Sequence, residues 1–186
     1  MLDVGRLHIR WESRVRPEDI PPPDYDDPKE LYAFFGLTFF HAQVLEQGIV
    51  NLAVALQARG IGGVTAGEVL ELYQGLEGRT FGNVLNAARG LMAIPDSLDH
   101  DLEQARRHRN YLAHHFFVDH DCDLLSESGR NGMIDELHSI LTFILRVDAE
   151  CDRVWMTAWG ALGLSQAWFD QEFARLRHLA PDATPN

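Results

Sequence analysis

The chain has 186 residues, enough for one domain with its own core, and its 46% hydrophobic content is ordinary for a globular protein. The formal net charge of −12 speaks against non-specific binding to long nucleic acid, which phosphate neutralisation drives, but it leaves room for a local basic site. Lys29 is the only lysine, so positive charge is nearly all arginine, and Arg106, Arg107 and Arg109 form one of its few concentrations.

No apolar run is long and uninterrupted enough to span a membrane. The segment Met1–Arg6 lacks the basic region and apolar core of a secretory signal. Cys122 and Cys151 do not amount to a disulfide framework. A cytoplasmic, reduced protein with no membrane attachment is therefore the expectation.

Residues 1–26 read as an extended arm rather than a domain. Leu7, Ile9 and Trp11 alternate with polar residues as in a short strand, and Pro21-Pro22-Pro23 ends any regular structure. From Asp27 the pattern is helical. Asp27 is a natural N-cap with Pro28 at the first helical position, and apolar residues recur at Leu31, Phe34, Phe35, Ala42, Leu45, Ile49, Leu52 and Leu56 before Gly60. The stripe is wide, so this helix should be buried on more than one side.

Thr65-Ala66-Gly67-Glu68 resembles a capping box for a short helix through Leu72. Thr80 caps another, from Phe81 to about Ala93, which Pro95 ends. Asp96 or Ser97 then caps a helix in which Leu98, Leu102, Ala105, Arg109, Leu112 and Phe116 make one continuous seam. A polar loop near residues 119–131 precedes a long helix with Met133, Leu137, Ile140, Leu141, Ile144, Val147, Cys151, Val154, Trp155 and Ala158 inward. Gly160 and Gly163 break that helix, and Ser165 caps a last one bearing Trp168, Phe169, Phe173 and Leu176. Residues 181–186 read as a frayed end. The expected architecture is all-α: an antiparallel helical bundle over residues 27–180, with short extra helices.

The segment Arg106-Arg107-His108-Arg109-Asn110-Tyr111-Leu112-Ala113-His114-His115-Phe116-Phe117 carries the chemistry. Arg109 is a cation, Asn110 a polar orienting group, and His114 an imidazole, the side-chain type suited to acid–base work near neutral pH. An Arg-x4-His pair is common by chance, with about 0.7 expected at this composition. Three features add weight. Asn110 follows Arg109 directly, Arg109 interrupts an apolar seam, and the pair lies at the C-terminal end of a helix in an all-α chain. A guanidinium in a seam needs partners, because burying it unpaired is costly.

Asn110 and His114 are four apart and share a helix face, whereas Arg109 and His114 are about 140° apart on an ideal helix. They converge only through the reach of Arg109, through a loosened helix end, or through a second copy of the helix in a two-fold dimer. The chemistry that such a set supports is RNA cleavage by the neighbouring 2′-hydroxyl. Neutral His114 takes the hydroxyl proton, Arg109 donates to the phosphorane, and Asn110 orients phosphate or imidazole. The competing reading is that Arg109 and His114 only tie helix ends together.

Arg109-Asn110-Tyr111-Leu112-Ala113-His114 resembles the R-x4-6-H motif of the HEPN superfamily. The resemblance implies a helical bundle that dimerises, with both motifs facing a shared cleft, and a metal-independent endoribonuclease needing no cofactor. It also implies roles in toxin–antitoxin pairs, phage defence or RNA processing, with RNA and an antitoxin or other protein as partners. The helix order extends the likeness loosely over residues 28–158. Arg106 and His115 are supporting candidates beside the motif. Some members place an acidic residue of the first long helix near it, and Glu46, polar amid Val44, Leu45 and Ile49, is the natural counterpart to pair with Arg109. Where some antitoxin-paired members carry a tyrosine that accepts a nucleotide, this chain has Phe116. The alternative is a non-enzymatic helical module that binds a protein partner or RNA through the same cleft.

His100, His108, His114, His115 and His120, with Asp119, Asp121 and Cys122, are dense enough to raise a metal site, but their spacings fit one poorly and none is expected. Gly60-Ile61-Gly62-Gly63 lacks a following Lys-Ser/Thr and reads as a loop. Trp155, Trp159, Trp168 and Phe169 fall at helical spacing and read as core.

Overall fold

The computed structural model describes residues 15–59, 66–76, 78–90 and 94–163, together with 165, 167 and 171. The strand expected at 7–11, the Gly60–Gly63 loop, most of the helix expected after Ser165, and the 181–186 end lie outside the described residues.

Among the described residues six α-helices run in chain order: α1 Glu30–Arg59, α2 Ala66–Leu76, α3 Phe81–Arg89, α4 Asp96–His114, the single turn α5 Phe116–Asp119, and α6 Glu127–Ala161. Short 3-10 turns cover Pro17–Asp19 and Asp123–Leu125. The protein is an all-α bundle, with no strand among the described residues.

The long helices α1 and α6 form the centre. Their partners advance together along both chains: the Phe34 ring lies 5.9 Å from that of His138, the Thr38 hydroxyl donates to the Leu137 carbonyl, and Gly48 lies beside Asp148. These two helices are therefore parallel. The antiparallel alternation belongs to α4, which places Arg109 by Glu46 of α1, and Asp101 and His108 by Arg146 and Phe143 of α6. A side chain at Gly48 would come within 3.0 Å of Asp148 Oδ1, so the glycine permits the close crossing of α1 and α6.

All residues from Asn51 to Leu56 are buried, which fits a helix flanked by α2, α3 and α6. This corrects one expectation. By length and composition the helical stretch Glu30–Ala58 is apolar enough to cross a membrane, an 18-residue window within it having a mean hydropathy of 1.2. Gln43, Glu46, Gln47 and Asn51 interrupt the run without lowering its average enough. In the fold 61% of that window is buried inside the molecule, as in a core helix.

Several boundaries also move. The Asp27 carboxylate accepts from the Lys29 amide at 2.8 Å in the turn before α1, and regular helix begins only at Glu30 rather than at Pro28. α2 continues one turn beyond Leu72 to Leu76, burying Tyr73 and Leu76. Thr80 caps α3 as its side chain suggests, accepting from the Asn83 amide, but the helix closes at Gly90. α4 begins at Asp96 itself after Pro95, with no side-chain cap, so neither Asp96 nor Ser97 serves as one.

The loop expected at 119–131 is shorter, because Ser126 caps α6 by accepting from the Gly129 amide at 3.0 Å. At Gly129 an added Cβ would meet the Asp123 carbonyl oxygen at 2.3 Å, so glycine lets the Asp123–Leu125 turn lie flat on the start of α6. Gly160 remains helical, and the break falls at Gly163, whose φ of 73° favours glycine. The described part of the arm packs onto the bundle: Ile20 is buried, and the Tyr25 hydroxyl bonds to Asp135 of α6.

Candidate functional site

The four-three spacing of α4 turns Leu98, Leu102, Ala105 and Leu112 to the core, and Phe116 extends the seam into α5. Arg109 falls in this same stripe. Its side chain keeps 30% exposure and its Nη2 lies 3.7 Å from Oε2 of Glu46, which is 22% exposed. The expected pairing with α1 is thus present as an ion pair longer than a hydrogen bond. Arg109 Nε is buried with no hydrogen-bond partner among the described residues.

His114 ends α4 and is exposed. Among the described residues its imidazole meets only the His115 ring, edge-on at 6.4 Å between centroids. Its position about 140° around the helix from Arg109 sends the two side chains apart, Arg109 toward α1 and His114 to solvent. Asn110 is half-buried on the His114 side and makes no side-chain hydrogen bond among the described residues. Within one chain, then, Arg109 meets Glu46 but not His114.

The supporting candidates divide. Arg106 turns toward α3 and binds Glu103 at 2.6 Å. Glu103 also faces Arg89 at 3.5 Å and Arg107 at 3.6 Å, and the Arg106 hydrogen bond holds its carboxyl below the usual range. Arg106 is therefore engaged in the α3–α4 contact rather than offered to an anion. His115 has an exposed side chain, and its backbone N–H closes α4 by donating to the Tyr111 carbonyl at 2.8 Å.

Phe116 is fully buried, its ring 5.6 Å from Phe35, 5.8 Å from Tyr111 and 5.0 Å from His120. Phe116 is thus part of the core.

The sequence reading missed a second polar cluster behind the motif. His120 Nδ1 lies 2.6 Å from Asp123 Oδ2 and its Nε2 lies 2.9 Å from Glu136 Oε2. The Tyr111 hydroxyl lies 3.1 Å from the same Nε2. Burial opposes the charged imidazole, but hydrogen bonds to Asp123 and Glu136 prevail and raise its pKa. Burial, with the Glu136 charge, pushes Tyr111 up to about 12. His108, one turn back on α4, is edge-on to Phe143, and burial lowers its pKa. The density of histidines was the available signal. It failed to identify the cluster because Glu136 comes from α6, a distant part of the chain.

The His120 carboxylates lie at opposite edges of one imidazole, so they do not share a point with it. Among the described residues no three His, Cys, Asp or Glu side chains are arranged to hold a metal ion. Cys122 is exposed and Cys151 buried, and they form no disulfide among the described residues.

Comparison with family models, curated proteins and solved structures finds no match to this chain.

Proposed function

We propose that this is a HEPN-like ribonuclease that cleaves RNA without a metal ion, using Arg109, Asn110 and His114. The observation that carries the reading is the pairing of a seam arginine, tied to Glu46 yet partly open to solvent, with an exposed histidine five residues on at the end of the same helix. His114 is free to accept the 2′-hydroxyl proton, since no side-chain hydrogen bond among the described residues occupies it. The 2′-oxygen attacks the adjacent phosphorus and the 5′-oxygen leaves, giving a 2′,3′-cyclic phosphate. Arg109 stabilises the charge that builds on the phosphorane, and Asn110 orients the phosphate or the imidazole.

Because Arg109 and His114 diverge on one helix, the reading makes the site composite. A two-fold homodimer presents Arg109 of one copy with His114 of the other across a shared cleft. The biological settings it fits are a toxin of a toxin–antitoxin pair or a defence nuclease acting in the cytoplasm. The test is cleavage of a mixed RNA pool in EDTA by wild-type protein and His114→Ala. The reading expects cleavage by the wild type alone, and equal cleavage by both proteins would falsify it.

A second reading is a non-enzymatic module that binds a protein partner. It is favoured by the exposed aromatic surface where Tyr32, 61% exposed, stacks on Phe117 at 6.1 Å beside exposed Val118. Capture of RNA or a protein partner by wild-type protein that cleaves nothing would move the assignment there.

A further inference from the structure

His120 joins three elements at one imidazole. Asp123 reaches it from the turn after α5, Glu136 from α6 and Tyr111 from α4. A neutral imidazole has a single N–H, so both carboxylates can accept from it at 2.6 Å and 2.9 Å only when the ring carries both protons. The surroundings supply no substitute cation. Glu136 and Asp123 form no other ion pair among the described residues, and Arg130 of α6 is engaged with the Leu124 carbonyl at 3.0 Å. The other groups around the cluster are the Phe116 ring of α5, Asp119 of α5 acting on Tyr111, and His108 of α4 near Glu136. The Tyr111 hydroxyl also hydrogen-bonds Glu136, from which it must turn to donate to a neutral His120.

We propose that His120 is a proton-operated latch. In its cationic form it clamps the connection between α4 and α6 onto α6 through Asp123 and Glu136. On losing the Nε2 proton it releases Glu136 and accepts a hydrogen bond from the Tyr111 hydroxyl instead, which is already 3.1 Å away.

The two arrangements need no large movement, since Tyr111 stays protonated throughout the neutral range and keeps its O–H to donate. The raised pKa of His120 fixes the sign of the linkage. The latch stabilises the fold fully below the unfolded value of 6.5, and that stabilisation is lost as pH rises through the higher folded value. Tyr111 lies between Arg109 and His114, so the latch holds the end of α4 that carries the motif. It does so whether or not that motif cleaves RNA.

The test uses the full chain. The His120 ring signals are followed by NMR across pH, with assignment from His120→Gln, and urea unfolding is measured for both proteins between about pH 6 and pH 9. The expected results are a His120 midpoint above 6.5, and a urea midpoint that falls with rising pH more steeply in the wild type than in His120→Gln. A midpoint at or below 6.5, or parallel pH profiles in the two proteins, overturns the latch. Should His120→Gln fail to fold, Glu136→Gln serves instead. Removing one carboxylate must lower the His120 midpoint, and an unchanged midpoint overturns the proposal.

Discussion

At the scale of single residues, Arg109 is where packing and chemistry meet. Its place in the seam was legible because an arginine at the fourth of six core-spaced positions breaks an otherwise apolar pattern. Glu46 was legible as its partner for the mirror reason, a carboxylate inside the apolar run of α1. The orientation of His114 followed from helix geometry alone. Removing Glu46 leaves a half-buried guanidinium without its counter-charge, so Glu46→Ala is expected to cost about 1–3 kcal/mol. Arg109→Met, which keeps the volume and removes the charge, should cost less, and the pair should show a coupling of about 1 kcal/mol in a double-mutant cycle. Urea unfolding of the four proteins checks both statements, and purely additive effects would show that the 3.7 Å pair contributes nothing. Phe116 belongs to this scale as well. Its ring is fully buried among Phe35, Tyr111 and Phe117, so Phe116→Ala is expected to lose about 3–5 kcal/mol, read from the shift in urea midpoint.

At the scale of elements, existence was easier to read than extent. The 3.6-residue spacing revealed α1, α4 and α6 because each buries a continuous stripe. The start of α6 was misplaced since Ser126, its true cap, lies in a polar stretch that contains no apolar marker until Met133. Gly129 shows what determines that start. It lies where the Asp123–Leu125 turn presses on α6, and no periodicity encodes such a contact. Gly129→Ala would push a methyl into the Asp123 backbone, with an expected loss of about 1–3 kcal/mol despite the better helix propensity of alanine. Gly132→Ala, at a position with nothing within 4 Å of the added carbon, is the matched control and should be neutral or stabilising. Equal thermal stability of the two variants would contradict the close approach. The His120 cluster was hidden for a related reason: its members come from α4, the connecting turn and α6, and only the fold brings them together.

At the scale of the whole molecule, the parallel run of α1 beside α6 with α4 reversed against both places the motif helix on the outside of the central pair. One of its faces is held by Glu46 and the other carries His114 into solvent. The all-α class was legible from periodicity, whereas the relative direction of α1 and α6 depends on contacts a hundred residues apart. If Arg109 and His114 act across a two-fold axis, then mixing Arg109→Met with His114→Ala should restore cleavage that neither variant has alone. Heterodimers then contain one intact pair. Absence of rescue under conditions where the wild type cleaves would contradict the two-fold arrangement.

The most direct measurement is still the simplest. Wild-type protein and His114→Ala are incubated with a mixed pool of single-stranded and structured RNA in EDTA, and the products are examined for 2′,3′-cyclic phosphate ends. The account predicts such ends with wild-type protein and none with His114→Ala of unchanged fold. Cleavage that persists in the variant would contradict it.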